Sequence, residues 1–202
     1  MISPAPARDP VRSRLRRELR ARRAAQPPAL RRAAERRICA HLARAAWFRP
    51  GLDVALYLSR DAEVDTAPLL RLARRRGCRI YLPRITDYAA HRMLLVPERG
   101  ARRDLGRYRI AEPRGGARRT APAFDLILMP LVGFDNAGNR LGNGAGFYDR
   151  FLADRRGRGG RPLLIGIAFE CQRLDALAAN AHDVPLDAVV TERGLHHFQR
   201  RH

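Results

Sequence analysis

The sequence predicts an α/β fold built on a mostly parallel sheet that helices cover on both faces. Three observations predict it. Short apolar runs at 53–58, 79–82, 124–128, 163–168 and 188–191 alternate with stretches whose apolar residues recur at helical spacing. The runs at 124–128 and 163–168 are apolar almost throughout, as strands buried on both faces must be. The chain has 202 residues and 46% hydrophobic content, enough for one domain with a true core, with or without small appendages.

Taken in order, residues 1–10 are rich in proline and alanine and are expected to form a disordered tail. Residues 11–25 are helical by propensity and dense in arginine. Pro27 and Pro28 break that helix. A second helix is expected over 29–48, with Ile38, Leu42 and Ala45 on its packed face and His41 beside it. Trp47 and Phe48 are core candidates. A strand at 53–58 leads to Thr66, a plausible N-cap for a helix that ends at Arg76 with Gly77 as its stop. Strands follow at 79–82, ending at Pro83, and at 93–96. Residues 98–122 are polar and read as a long excursion with little structure of its own.

After the run at 124–128 comes the glycine-rich stretch discussed below. A helical pattern then places Phe147, Tyr148, Phe151 and Leu152 on one face. Residues 155–161 make an exposed basic turn. A strand at 163–168, a small-residue helical segment at 174–179 and a last strand at 188–191 complete the domain. The single domain is thus expected over 11–195, with a C-terminal tail at 196–202.

The formal net charge is +20, carried by arginine alone, since the chain has no lysine. Such a surface suits nucleic acid. It equally suits a solvated basic exterior or the capture of a small polyanion. The arginines are spread along the chain, and aromatic residues are only 6%, too few for base-stacking platforms. No apolar run is long enough for a membrane span, and no signal-peptide pattern opens the chain. Cys39, Cys78 and Cys171 fit no metal spacing and suggest buried thiols in a reducing compartment, hence a cytoplasmic protein. His196, His197 and His202 also lack metal spacing.

The chemistry concentrates in Arg140-Leu141-Gly142-Asn143-Gly144-Ala145-Gly146-Phe147-Tyr148-Asp149-Arg150. A glycine-rich loop entering a helix leaves backbone N–H groups free to meet an anion. Arg140 and Arg150 flank it. A carboxylate beside phosphates is repelled unless a cation lies between, so Asp149 points to nucleotide phosphates with Mg2+. The stretch is not a P-loop, which needs lysine followed by serine or threonine, and its first glycine lies too far from the strand end for a dinucleotide fingerprint. The glycines alone would also suit a flexible loop with a helix cap.

The whole string resembles the signature of the 5-formyltetrahydrofolate cyclo-ligase family. Three other segments agree with it. Arg12-Ser13-Arg14-Leu15-Arg16 is similar to the family's Lys-x-x-Leu-Arg motif at the ATP site, with arginine for lysine. Tyr57-Leu58-Ser59 with Glu63-Val64-Asp65-Thr66 is similar to a folate-pocket segment. His182-Asp183-Val184-Pro185-Leu186-Asp187 is similar to a C-terminal motif that holds metal. On their own the early arginines read as a solvated helix face, Glu63 as a loop acid and Asp183 as a turn residue before a strand.

The resemblance implies a single three-layer α/β/α domain (NagB/RpiA/CoA-transferase-like) in which ATP and folate share a cleft. It implies an enzyme that converts 5-formyltetrahydrofolate to 5,10-methenyltetrahydrofolate with ATP as co-substrate and Mg2+ as cofactor. Arg12, Arg16, Arg140, Leu141, Gly142, Asn143, Gly144, Ala145, Gly146, Phe147 and Tyr148 would line the ATP site. Leu58 and Glu63 would meet the pterin, and Asn143 to Phe147 would touch folate as well. Asp149 and Asp183 would hold the metal, and Arg140, Tyr148 and Asp149 would act in catalysis. Asn143 stands where the family has a larger residue, and Ala145 where glycine is common. The enzyme is expected to be a monomer. The competing expectations are an arginine-rich nucleic-acid-binding protein on the same scaffold and a relative acting on another substrate.

Overall fold

The computed structural model describes residues 9–98, 103–105, 111–113, 119–153 and 162–199. The expected tail at 1–8, the basic turn at 155–161 and His202 lie outside the described residues.

Helix α1 (Pro10–Ala24) begins one residue earlier than the composition suggests, because Asp9 caps it. The Asp9 carboxylate accepts from the amides of Val11 (2.9 Å) and Arg12 (3.1 Å), and Pro10 occupies the first turn, where a missing N–H costs nothing. Asp9 and Pro10 thus belong to the helix, not to a disordered tail. Helix α2 (Pro28–Arg44) stops short of the expected Phe48, since Ala45 turns extended. Strand β1 (Asp53–Ala55) leads to α3 (Ala67–Arg75). Thr66 stands at its N-cap position but does not cap it. Its hydroxyl donates to the Tyr57 carbonyl at 2.7 Å, and Asp65 accepts the Ala67 amide instead. Gly77, at φ +69°, ends the helix as predicted.

Strand β2 (Arg79–Asp87) runs past Pro83 and pairs antiparallel with β3 (Arg92–Pro97). Beyond Tyr81 the sheet pairing of β2 among the described residues is with β3 alone, a position where a proline is tolerated. The excursion expected at 98–122 contains an antiparallel pair, β4 (Arg103–Leu105) and β5 (Ala111–Pro113). Strand β6 (Leu126–Met129) is followed by a two-stranded ladder of β7 (Gly133–Phe134) and β8 (Arg140–Leu141), then by α4 (Phe147–Phe151). Strand β9 (Leu163–Ile167) and β10 (Ala188–Thr191) follow. A last strand, β11 (Gly194–His197), takes in His196 and His197, which the sequence reading leaves in a tail.

The main sheet has the order β11-β10-β9-β6-β1-β2-β3. Its five inner strands are parallel, and each edge strand is antiparallel to its neighbour. The class is therefore the α/β fold with a mostly parallel sheet. Side chains alternate between two cores. Val54, Leu126, Leu128, Ile165, Ile167 and Val190 pack under α2 and α3, while Ala55, Ile127, Met129, Leu164 and Val189 pack beneath Tyr148, Phe151 and Leu152 around α4.

Residues 174–179 form no helix. Their backbone is committed elsewhere: the Leu174 amide donates to the Phe134 carbonyl at 2.8 Å and the Leu177 amide to the Asp135 carboxylate at 2.9 Å. These long-range bonds displace the local ladder that propensity favours. A third small core of Leu19, Val132, Leu141 and Leu177 results, and it seats α1 against the β7–β8 ladder.

Candidate active site

The site lies beyond the C-terminal ends of β1 and β6, where an open α/β sheet leaves room for a ligand. Its loop rests on Asp135, which is buried and accepts the amides of Ala137 and Asn139 at 2.9 Å each. Gly138 allows the turn. It stands at φ +82°, and a Cβ there would meet the Leu186 carbonyl and the Phe198 ring at 3.0 Å.

This platform delivers Arg140 and the glycine loop to α1. The loop's carbonyls are held from outside by basic side chains. Arg16 Nε donates to the Gly142 carbonyl (2.9 Å), Arg20 Nη2 to that of Asn143 (3.4 Å) and Arg150 Nη1 to that of Ala145 (3.1 Å). Among the described residues no acceptor takes the amides of 143–146. Gly144 (φ +108°) and Gly146 (φ +69°) supply the backbone turns this needs. The expected anion cradle is present, although α4 behind it has only five residues. His91, at the tip of the β2–β3 hairpin, reaches the Ala145 carbonyl through Nδ1, and its ring lies 5.6 Å from that of Phe147.

Two ion pairs close this end of the cleft. Arg140, 4% exposed, donates to Asp149 at 2.6 Å, and Asp149 also accepts the Val184 amide at 3.2 Å. Arg12 donates to Asp183 at 2.7 Å, and Asp183 also accepts the Asn180 amide. The early arginines are therefore not simply a solvated face: Arg12 is buried against an acid 171 positions away. The Nε atoms of Arg12 and Arg140 are buried without partners, as donors reserved for a ligand would be.

The other end of the cleft holds Glu63, 9% exposed, which accepts the Arg60 amide at 3.2 Å and interacts with the Asn143 side chain. Burial raises its pKa above the ordinary carboxylate value. Tyr148 lies between the two ends. Its hydroxyl is buried and unpartnered, and burial pushes its pKa up, against Arg140 on one side and with Glu63 on the other. Leu58 is half-buried and packs against the first core. The residues that sequence reasoning missed are Arg20, Arg23 and His91. Arg20 and Arg23 continue the spacing of Arg12 and Arg16, a signal available in the sequence; His91 has none.

A profile of the 5-formyltetrahydrofolate cyclo-ligase family matches residues 8–192. The chain belongs to that family. It is 38% identical over 143 residues to the 5-formyltetrahydrofolate cyclo-ligase of Escherichia coli K12, covering 68% of this chain and 76% of that protein. It is 31% identical over 180 residues to the Haemophilus influenzae enzyme of the same name, covering 87% and 94%. The Aquifex aeolicus 5,10-methenyltetrahydrofolate synthetase superposes with a TM-score of 0.80 at 28% identity, covering 95% of each chain. The chain is thus an enzyme of the cyclo-ligase family, with that family's fold.

Proposed function

We propose that this cyclo-ligase family member closes 5-formyltetrahydrofolate to 5,10-methenyltetrahydrofolate, using ATP and Mg2+. The observation that carries the reading is the convergence on one cleft of Arg12, Arg16, Arg140, unspent loop amides, Asp149 and Asp183, with the buried Glu63 at its far end. Among the described residues no group of three or more histidine, cysteine or acidic side chains could cage a metal. Mg2+ does not need one. It takes one or two carboxylates and completes its shell with phosphate and water. Asp149 and Asp183 fit that role, each now neutralised by an arginine that phosphate could claim instead.

The loop amides, Arg12, Arg16 and Arg140 would hold the triphosphate, and Asp149 with Asp183 the metal, which supplies neutralisation of charge on the phosphates. Glu63 would accept from the donor edge of the pterin and so fix the formyl group. The formyl oxygen attacks the γ-phosphorus, the bond to ADP breaks, and an imidate phosphate forms. N10 then attacks the activated carbon, loses its proton, and the C–O bond breaks to release phosphate. No protein nucleophile is needed. The chain's task is positioning and charge, and Tyr148 would screen the reacting atoms from water where the two substrates meet.

The enzyme is proposed to act as a monomer. The three cysteines are unpaired and burial raises the pKa of each thiol, in keeping with a reducing cytoplasmic setting. Purified protein with 5-formyltetrahydrofolate, Mg2+ and ATP should give a near-ultraviolet absorbance rise that requires all three. No rise in folded protein would overturn the reading. Asp149→Asn should cut turnover at least ~100-fold, the scale of losing one transition-state charge contact; full activity would remove Asp149 from the metal site.

A further inference from the structure

We propose that Arg23 is a specificity residue that reads the acceptor side of the pterin edge beside Glu63. The inference rests on the folate reading above and extends it to a residue outside the segments that carry the family resemblance.

Helix α1 acts as a rod along the cleft. Arg12, Arg16, Leu19 and Arg23 share one face, at spacings of four, three and four residues. Eleven residues at 1.5 Å each put the Cα atoms of Arg12 and Arg23 about 16 Å apart. Arg12 meets Asp183, Arg16 the Gly142 carbonyl and Arg20 the Asn143 side chain at 3.0 Å. Asn143 in turn interacts with Glu63. The next turn therefore brings Arg23 to the Glu63 end, and its electrostatic neighbours are Glu63, Tyr57, Arg20 and Asp61.

Arg23 is 5% exposed, and its Nε is sealed from solvent with no acceptor. Among the described residues no hydrogen bond or ion pair engages its guanidinium. Arginines with a structural task in this protein look different: Arg79 and Arg119 both bind Asp53. A buried guanidinium left unpaired is costly, and a fold retains it where a ligand completes its shell. The pterin edge offers that completion. Its N3–H and 2-amino group are donors suited to a carboxylate, and the neighbouring O4 is an acceptor suited to an arginine fork. A carboxylate reads N3, which is an N–H donor in a 4-oxo pteridine and an acceptor in a neutral 4-amino one, but it does not read position 4 itself. A guanidinium there does, because a 4-amino group would meet it donor to donor.

The experiment compares wild type, Arg23→Met and Arg23→Lys. It measures KM for 5-formyltetrahydrofolate and for ATP, and the Kd of each protein for 5-formyltetrahydrofolate and its 4-amino counterpart. Wild type should prefer the 4-oxo ligand. Arg23→Met should raise the folate KM at least tenfold, leave the ATP KM within twofold, and cut the 4-oxo preference at least tenfold, the remainder being that of Glu63 for N3–H. Arg23→Lys, which keeps the charge and stem without the fork, should lose at least threefold of that preference, and it carries the test if the methionine variant does not fold. Both KM values rising together, or a 4-oxo preference that both substitutions leave unchanged, would overturn the proposal. Failure of wild type to bind 5-formyltetrahydrofolate would instead overturn the folate reading beneath it.

Discussion

Glu63 sits with its carboxyl raised by burial, and the sign has a consequence for stability. A carboxylate whose folded pKa lies above its unfolded value stabilises the fold while protonated; that contribution is complete below the unfolded pKa and is lost as pH rises through the folded one. Wherever Glu63 is ionised it is therefore a cost to the fold, one that the proposed pterin contact would offset. Glu63→Gln keeps an oxygen for the Arg60 amide. It should leave the Tm at pH 7 unchanged or higher while raising the KM for 5-formyltetrahydrofolate at least ~10-fold, the effect of losing a charged hydrogen bond. A calorimetric scan with both KM values checks this. A Tm drop of several degrees, or an equal loss in ATP affinity, would mean that Glu63 serves the fold or the nucleotide instead. At this scale much was legible: the identities of Glu63, Asp149 and Asp183 stand out once the motifs are read together. That Arg23 is buried was not legible, because an arginine in a helix full of arginines has no local mark of burial.

At the scale of elements, α1 carries the most chemistry on the least apolar support. Leu19 is its only fully buried aliphatic residue, in the small core with Val132, Leu141 and Leu177. Its first turn depends on the Asp9 cap, and Arg12 lies in that turn. Asp9→Ala should cost about 1 kcal/mol, as lost N-caps do. It should also raise the ATP KM more than the folate KM, since the end that frays is the Arg12 end. Thermal melts and the paired KM values test it; equal shifts in both would show that α1 moves as one body. The helices at 10–24 and 28–44 were readable because propensity and proline breaks are local. The segment at 174–179 was not, because Phe134 and Asp135 claim its backbone from forty residues away.

For the whole molecule, the net charge of +20 should draw in ATP and a folate with its carboxylates. Raising salt shortens the screening length from about 10 Å at 0.1 M to about 3 Å at 1 M. The kcat/KM for ATP should therefore fall several-fold across that range, with kcat changing less, because the Arg140–Asp149 contact is largely shielded from solvent. A kcat/KM indifferent to salt would leave the arginines as a solvated surface without a steering role. The seven-stranded sheet serves the same end: it brings the ends of β1 and β6 side by side, so that the Glu63 segment and the glycine loop face each other.

The α/β class, the positions of most strands and helices, and the glycine loop with its arginines and acid could be read from the amino-acid order alone. These rest on periodicity, breakers and motif chemistry, all properties of residues near one another in the chain. Only the tertiary structure decided that both edge strands run antiparallel and that residues 174–179 give up a helix. It also decided that Arg12 meets Asp183 and that Arg23 lies buried within electrostatic reach of Glu63. Those outcomes depend on desolvation and on long-range partners, and a side chain's partners and burial exist only once the topology has brought distant segments together.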